Sequence, residues 1–286
     1  MVTIPRLLHF FPLLSVVFYL LSTGAYLRAY LNRDSETKGL KVGKRCLIVA
    51  LFAHLAFLAL EISGGYRSLP LGSESFLSVI GLPLSLSLVS IFVSSLFIAL
   101  ERKMNLSALG VFVSPLSLLF MILSSVFFHL SVEPTDSLSG GPLLWIHIGS
   151  AVLANVFLVF AFGISLAVIV KETALKRKRA ILKPFPSLIE LDRLNSFVVG
   201  IGFVLMGTGI ISGLAFAFLS DVNGLVFDPR VLWSILTFLV YAFLLVARFG
   251  HGWRGRRVAW LAIAGFTTIM ASFVSINLMG NTFHLY

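Results

Sequence analysis

Eight long apolar runs, separated by short polar stretches, account for most of this chain. They extend approximately from Leu7 to Tyr30, Lys44 to Ile62, Ser75 to Leu100, Ser107 to Leu130, Leu143 to Val170, Ser196 to Leu219, Val231 to Phe249 and Val258 to Gly280. Each reaches or approaches the ~20 helical residues needed to cross a hydrocarbon layer ~30 Å thick. None alternates strictly between apolar and polar positions, so the runs read as helices and not as strands of a barrel. The pattern predicts an all-α, polytopic membrane protein with a bundle of eight transmembrane helices. It forms a single integral-membrane domain over residues 1–286, with four helices in 1–130 and four in 143–286.

The polar stretches are connectors. RAYLNRDSETKGLKVGKR links the first two runs, and EISGGYRSLPLGSESF, with Gly64, Gly65, Pro70 and Gly72, reads as a turn-rich loop. SDVNGLVFDPRVLW, from Ser220 to Trp233, interrupts the hydrocarbon pattern between the sixth and seventh runs. Composition agrees with a membrane location: 58% of residues are hydrophobic, 12% are charged and the mean hydropathy is +1.00.

Charge changes the picture by giving it a direction. The net charge of +10 would suit nucleic acid, but 19 of the 22 lysines and arginines lie in alternate loops. These are Arg28 to Arg45, Arg102 and Lys103, Lys171 to Arg193, and Arg248 to Arg257; only Arg6, Arg67 and Arg230 lie on the other side. The positive-inside rule therefore places both termini and the Ser220 to Trp233 loop outside the cytoplasm, in a multi-pass protein of the cell's inner (cytoplasmic) membrane. Nucleic acid is not an expected partner; the lipid bilayer is. Basic residues follow the first apolar run instead of preceding it, so no cleavable signal peptide is expected. The cluster Lys176 to Arg179 reads as a topology anchor and lipid-headgroup contact.

Several chemistries are excluded. A single cysteine, Cys46, forms no intrachain disulfide or thiol relay. No Asp or Glu falls well inside a run, since Glu61 and Asp192 lie at ends, and this argues against an ion or proton pump. There is no phosphate-binding glycine loop, metalloprotease motif or nucleophile elbow. In the sixth run Gly209 and Gly213 have the spacing that lets helix backbones approach, with Gly202 and Gly207 nearby.

Histidine is left as the residue of interest. His9, His129, His147 and His284 fall toward the outside and His251 in a cytoplasmic loop. His54 lies about 14 Å into the second span, near mid-bilayer. There it is either a functional ionisable group or a neutral imidazole hydrogen-bonded between helices. Histidine is a common axial ligand of haem iron, and aromatic side chains such as Trp145 at an outer helix end would rim a macrocycle.

Several stretches resemble one family. HIGSAVLANVF resembles its histidine-initiated helix, and PSLIELDRLNSFVVGIGFVLMGTGIISGLAFA its next span. DPRVLWSILTFLVYAFLLVARFGHGWRGRRVAWLAIAGF resembles a signature ending in a Gly-Trp-Arg-Gly turn, Gly252 to Gly255 here. INLMGNTFHLY resembles a terminal segment presenting a histidine, and ALFAHLAFLALEISGG with Glu74 resembles the second helix and the start of the third. The family is that of the cytochrome c assembly proteins, haem-handling membrane proteins that include the CcsA and CcmC types and the shorter HemX-like and YpjD-like group.

The resemblance implies that His147 and His284 ligate haem at the outer face and that His54 matches the first of two membrane histidines, the second of which falls at Val246. The family's tryptophan-rich loop is eroded: its tryptophans fall at Asp221, Leu225 and Phe227, whereas Asp228, Pro229 and Trp233 match. Asn155 stands where relatives carry tyrosine. These departures point toward the HemX-like or YpjD-like branch. The implied cofactor is non-covalent b-type haem, contacted by His147, His284, His54, Phe227, Trp233 and Asp228, with His147 and His284 on the metal. The implied function is haem binding and delivery in cytochrome c maturation, as an assembly factor more than an enzyme by itself. Its implied partners are a further assembly protein and apocytochrome c. The alternative is a HemX-like regulator of haem biosynthesis acting on a cytoplasmic partner through Lys171 to Lys183 and Arg254 to Arg257.

Overall fold

The computed structural model describes residues 3–32, 36–62, 82–104, 106–130, 141–178, 185–219 and 229–283. Among them are eight α-helices, one short 3-10 turn (Ser107–Leu109) and no strand: α1 (Thr3–Leu31), α2 (Glu36–Ile62), α3 (Leu82–Met104), α4 (Gly110–Leu130), α5 (Pro142–Lys176), α6 (Leu188–Leu219), α7 (Pro229–Phe249) and α8 (Arg256–Phe283). Seven are long and apolar enough to cross a membrane, and the eighth apolar run lies along α8. The protein is therefore an all-helical, multi-pass membrane protein.

Several helices outrun the hydrocarbon pattern. α2 starts at Glu36, ahead of Lys44, and α6 starts at Leu188, ahead of Ser196. The reason at α6 is a reciprocal capping box. The Ser187 N–H donates to Glu190 Oε2 at 2.7 Å and the Glu190 N–H donates to Ser187 Oγ at 3.1 Å, satisfying two otherwise orphaned helix-start donors. At α3 the difference runs the other way: helix is described from Leu82, and Ser75 to Gly81 lie outside the described residues.

The chain divides into two compact units, Met1–Gly140 with Ala180–Pro186, and Gly141–Arg179 with Ser187–Tyr286. In the first, α1 packs on α2 and α4, and α3 on α4. Tyr26, fully buried, is its anchor: the ring lies where a Cβ on Gly43 or Gly110 would sit, and it meets Phe97 edge-on at 6.2 Å. Serines line the remaining interior. Ser94 bonds Ser117 at 2.8 Å, Ser90 donates to the Ser117 carbonyl at 2.8 Å, and Ser114 bonds Ser22 at 2.9 Å, tying α1, α3 and α4 through hydroxyls that hydrocarbon would otherwise leave unpaired. At one end Glu101, buried and unnoticed in the hydropathy pattern, pairs with Lys44 at 2.7 Å and accepts from Ser107 at 2.7 Å.

In the second unit α5 packs against both α6 and α8, and α7 against α8 and α6. Gly202, Gly209 and Gly213 repeat at spacings that keep one face of α6 bare. α5 side chains enter there, with Leu158 2.7 Å from the position of a Cβ on Gly202. Phe162 and Phe266 stack at 4.0 Å between α5 and α8, and Phe203 and Phe238 at 4.5 Å between α6 and α7.

Candidate functional site

At the start of α5, five residues past Pro142, His147 turns its ring into the glycine face of α6. Its Nδ1 lies 2.7 Å from the carbonyl oxygen of Gly209. A carbonyl only accepts, so Nδ1 carries a proton, which makes Nε2 the nitrogen that can offer a lone pair. This is how histidines that bind metals are ordinarily oriented, by a hydrogen bond to the nitrogen that does not ligate. Gly213 makes room for the ring: a Cβ there would fall 2.5 Å from Nδ1 and 2.7 Å from Cε1. The Gly209–Gly213 spacing, expected to let helix backbones meet, receives an imidazole here.

His147 lines a cavity of about 220 Å³ inside the second unit. Its walls come from all four helices and include Asn155 of α5, Met206 of α6, Trp233 and Thr237 of α7, and Phe273 of α8. Thr237 Oγ1 donates to the Trp233 carbonyl at 2.8 Å and meets Thr268 Oγ1 at 3.1 Å, linking α7 to α8 below the tryptophan. Asn155 contributes an amide to this wall. Trp145 is 42% exposed, as a side chain in an interfacial belt is.

The stack of Phe162 on Phe266 sets the register of α5 against α8. The start of α8 lies near the end of α5, since a Cβ on Gly255 would be 4.0 Å from Glu172 Oε2, so the two helices run antiparallel. His147 precedes Phe162 by 15 residues, about 22 Å of helix, and Phe283 follows Phe266 by 17, about 26 Å. The end of α8 and His147 thus reach the same level within about one helical turn. His284, Phe227 and Asp228 lie outside the described residues, as do the side chains of His9 and His129.

His54 belongs to the first unit. It is fully buried, with Nε2 2.7 Å from Ser87 Oγ and Nδ1 3.4 Å from the Tyr19 hydroxyl. Both ring nitrogens have protein partners, an imidazole hydrogen-bonded between helices. Val246 is 57% exposed on the surface of α7.

At the opposite end of the second unit from His147 stands a polar clamp that the sequence reading passed over as a helix end. Asp192 accepts from Arg248 Nη1 at 3.0 Å and Nη2 at 2.9 Å, and from the Gly255 N–H at 2.9 Å. One carboxylate therefore joins α6, the end of α7 and the turn before α8. Gly252 and Gly255 have φ of +67° and +62°, where side chains are strained. Trp253 packs edge-on against Phe243 at 6.3 Å beneath the Arg257 guanidinium at 5.7 Å. The Gly-Trp-Arg-Gly signature is thus a backbone requirement plus a lid on α7. Among the described residues no group of three His, Cys, Asp or Glu is arranged to hold a metal ion.

Known proteins bear on this geometry. A family model described as "Cytochrome C assembly protein" matches residues 77–284. The chain is 30% identical over 215 residues to a protein of Guillardia theta named "Cytochrome c biogenesis protein CcsA", covering 66% of this chain and 69% of that one. Like-named proteins of Synechococcus sp. (strain RCC307) and Synechocystis sp. (strain ATCC 27184 / PCC 6803 / Kazusa) are 38% identical over 96 residues, 34% of this chain. These matches span 31% and 29% of the two cyanobacterial proteins, less than a third of their length. No solved structure matches the chain. On the family match, which takes in His147, the glycine face of α6 and the Gly-Trp-Arg-Gly turn, the chain belongs to the cytochrome c assembly protein family.

Proposed function

We propose that this protein acts in cytochrome c maturation, holding haem at the His147 end of its second unit for delivery to a cytochrome. The observation that carries this reading is the 2.7 Å contact from His147 Nδ1 to the Gly209 carbonyl, which leaves Nε2 as the ligating nitrogen. His284, next in sequence after the last residue of α8, would be the second residue to hold the iron, with Phe227 and Asp228 as further contacts to the group. Trp233 and Phe273 supply apolar wall to a macrocycle edge. A cavity of about 220 Å³ is smaller than the roughly 300–1,000 Å³ of pockets that enclose whole ligands, so it would take only an edge of the macrocycle.

Bound haem supplies an iron centre of non-covalent b type. The protein's own part is to fix the His147 tautomer, present apolar walls and keep the site at the membrane edge. In this reading both termini and the His147 end face away from the cytoplasm across the cytoplasmic membrane, and an assembly partner presents apocytochrome c. The relatives matched are named for cytochrome c biogenesis, which favours maturation over HemX-like regulation. Deleting the gene and staining membranes for covalently bound haem tests the role: c-type cytochromes should be lost and return with the wild-type gene. Undiminished c-type cytochromes in the deletion strain would refute it.

A further inference from the structure

Away from the His147 site, the first unit carries a cavity of about 640 Å³ in the groove between α1 and α2. Leu20, Gly24 and Arg28 line it from α1 at four-residue spacing, and Lys38, Val42 and Cys46 line it from α2 at the same spacing. Such spacing stacks side chains on one helix face. The connection between the helices is short, so they run antiparallel. Arg28 therefore stands level with Lys38 at one end, and Leu20 with Cys46 at the other, about 12 Å along the helices.

The groove has a cationic mouth and an apolar trough. Arg28 and Lys38 are both exposed, and neither pairs with a carboxylate among the described residues. Beyond them Leu20 is 59% and Val42 48% exposed, on a surface that faces hydrocarbon or another apolar group. The floor is made of small residues. Gly39 is close enough to α1 that a Cβ would meet Ala29 at 2.8 Å, whereas a Cβ on Gly24 would meet nothing within 4 Å. The helices thus touch on one side of the groove and leave an open channel on the other.

We propose that this groove binds one anionic phospholipid, with the headgroup phosphate between Arg28 and Lys38 and an acyl chain laid along Gly24 toward Leu20 and Cys46. Charge complementarity selects the headgroup: two exposed cations at the level where a helix pair leaves the membrane match an anionic lipid, and basic pockets between membrane helices bind such headgroups. The chain's alternating charge puts this mouth on the cytoplasmic side. The site is independent of the haem reading.

The test uses the full chain in detergent with added phosphatidylglycerol or phosphatidylcholine of identical acyl chains, counting retained lipid by native mass spectrometry. Wild type should keep one phosphatidylglycerol with about tenfold preference over phosphatidylcholine, and Arg28→Ala with Lys38→Ala should remove that preference. Gly24→Leu, which fills open space, should lower retention of both lipids while the melting temperature holds. Equal retention of the two lipids by wild type, full preference in the double variant, full retention by the Gly24 variant, or displacement by millimolar inorganic phosphate would each overturn the proposal. The Gly24 variant decides the matter if the double variant fails to fold.

Discussion

The imidazole of His147 is held across the α5–α6 interface by the backbone carbonyl of Gly209, 2.7 Å from Nδ1 and 62 positions away in sequence. When neutral, a ring so held has its proton at Nδ1 and its lone pair at Nε2. The same glycine face that accepts the ring also makes it vulnerable, because the ring and any Cβ on Gly213 compete for one space.

Gly213→Ala should therefore expel the ring from its notch. We expect haem content per folded protein to fall about tenfold, with a stability loss of about 1–3 kcal/mol from overpacking. Gly200→Ala is the control, since a Cβ there meets nothing within 4 Å. Haem extraction beside a thermal melt separates the two effects, and unchanged haem in Gly213→Ala would mean that the His147 orientation does not matter for binding.

His54 should behave as a structural residue. His54→Ala strips Ser87 and Tyr19 of a partner and opens a cavity, at a cost of about 2–4 kcal/mol. Haem per folded molecule should stay at the wild-type level. A variant that folds normally but loses haem would restore His54 as a ligand and contradict its bonded, fully buried state.

The Asp192 clamp should govern stability of the second unit. Its side chain and that of Arg248 are only 17% and 12% exposed, so Arg248→Ala leaves a largely buried carboxylate short of two donors, at a cost of about 2–3 kcal/mol. Asp192→Ala with Arg248→Ala should cost less than the two single variants summed. Gly255→Ala, at a φ of +62°, should add about 1–2 kcal/mol of strain by itself. Chemical denaturation in mixed micelles measures all four, and additivity in the double variant would show the pair uncoupled.

Orientation has its own check. In a Cys46→Ser background, Ser137→Cys should react with a membrane-impermeant thiol reagent in intact cells and Lys178→Cys should not. The reverse labelling would invert the topology and move the His147 end to the cytoplasmic side.

Much of the fold was legible in the sequence because hydrocarbon thickness dictates a minimum length: the runs from Leu7 to Gly280 mark helices that the structure contains. Helix ends outside the hydrocarbon were less legible, as hydropathy is silent where polar caps decide. Ser187 and Glu190 carried a readable capping signature that the span pattern overshadowed. His147 stood out as a histidine at an outer helix start, but its partner is a backbone carbonyl with no side-chain signature. Glu101, which the hydropathy pattern does not mark, and Asp192, read as a helix end, are held by Lys44 and Arg248 through tertiary contacts that no local pattern encodes.

The visible absorption spectrum of the detergent-purified protein, wild type beside His147→Ala and His284→Ala with haem quantified after extraction, is the most direct test. A low-spin spectrum in the wild type that each substitution weakens is the predicted result. Wild-type protein that takes up no haem even on reconstitution, or a spectrum that both substitutions leave unchanged, would contradict the account.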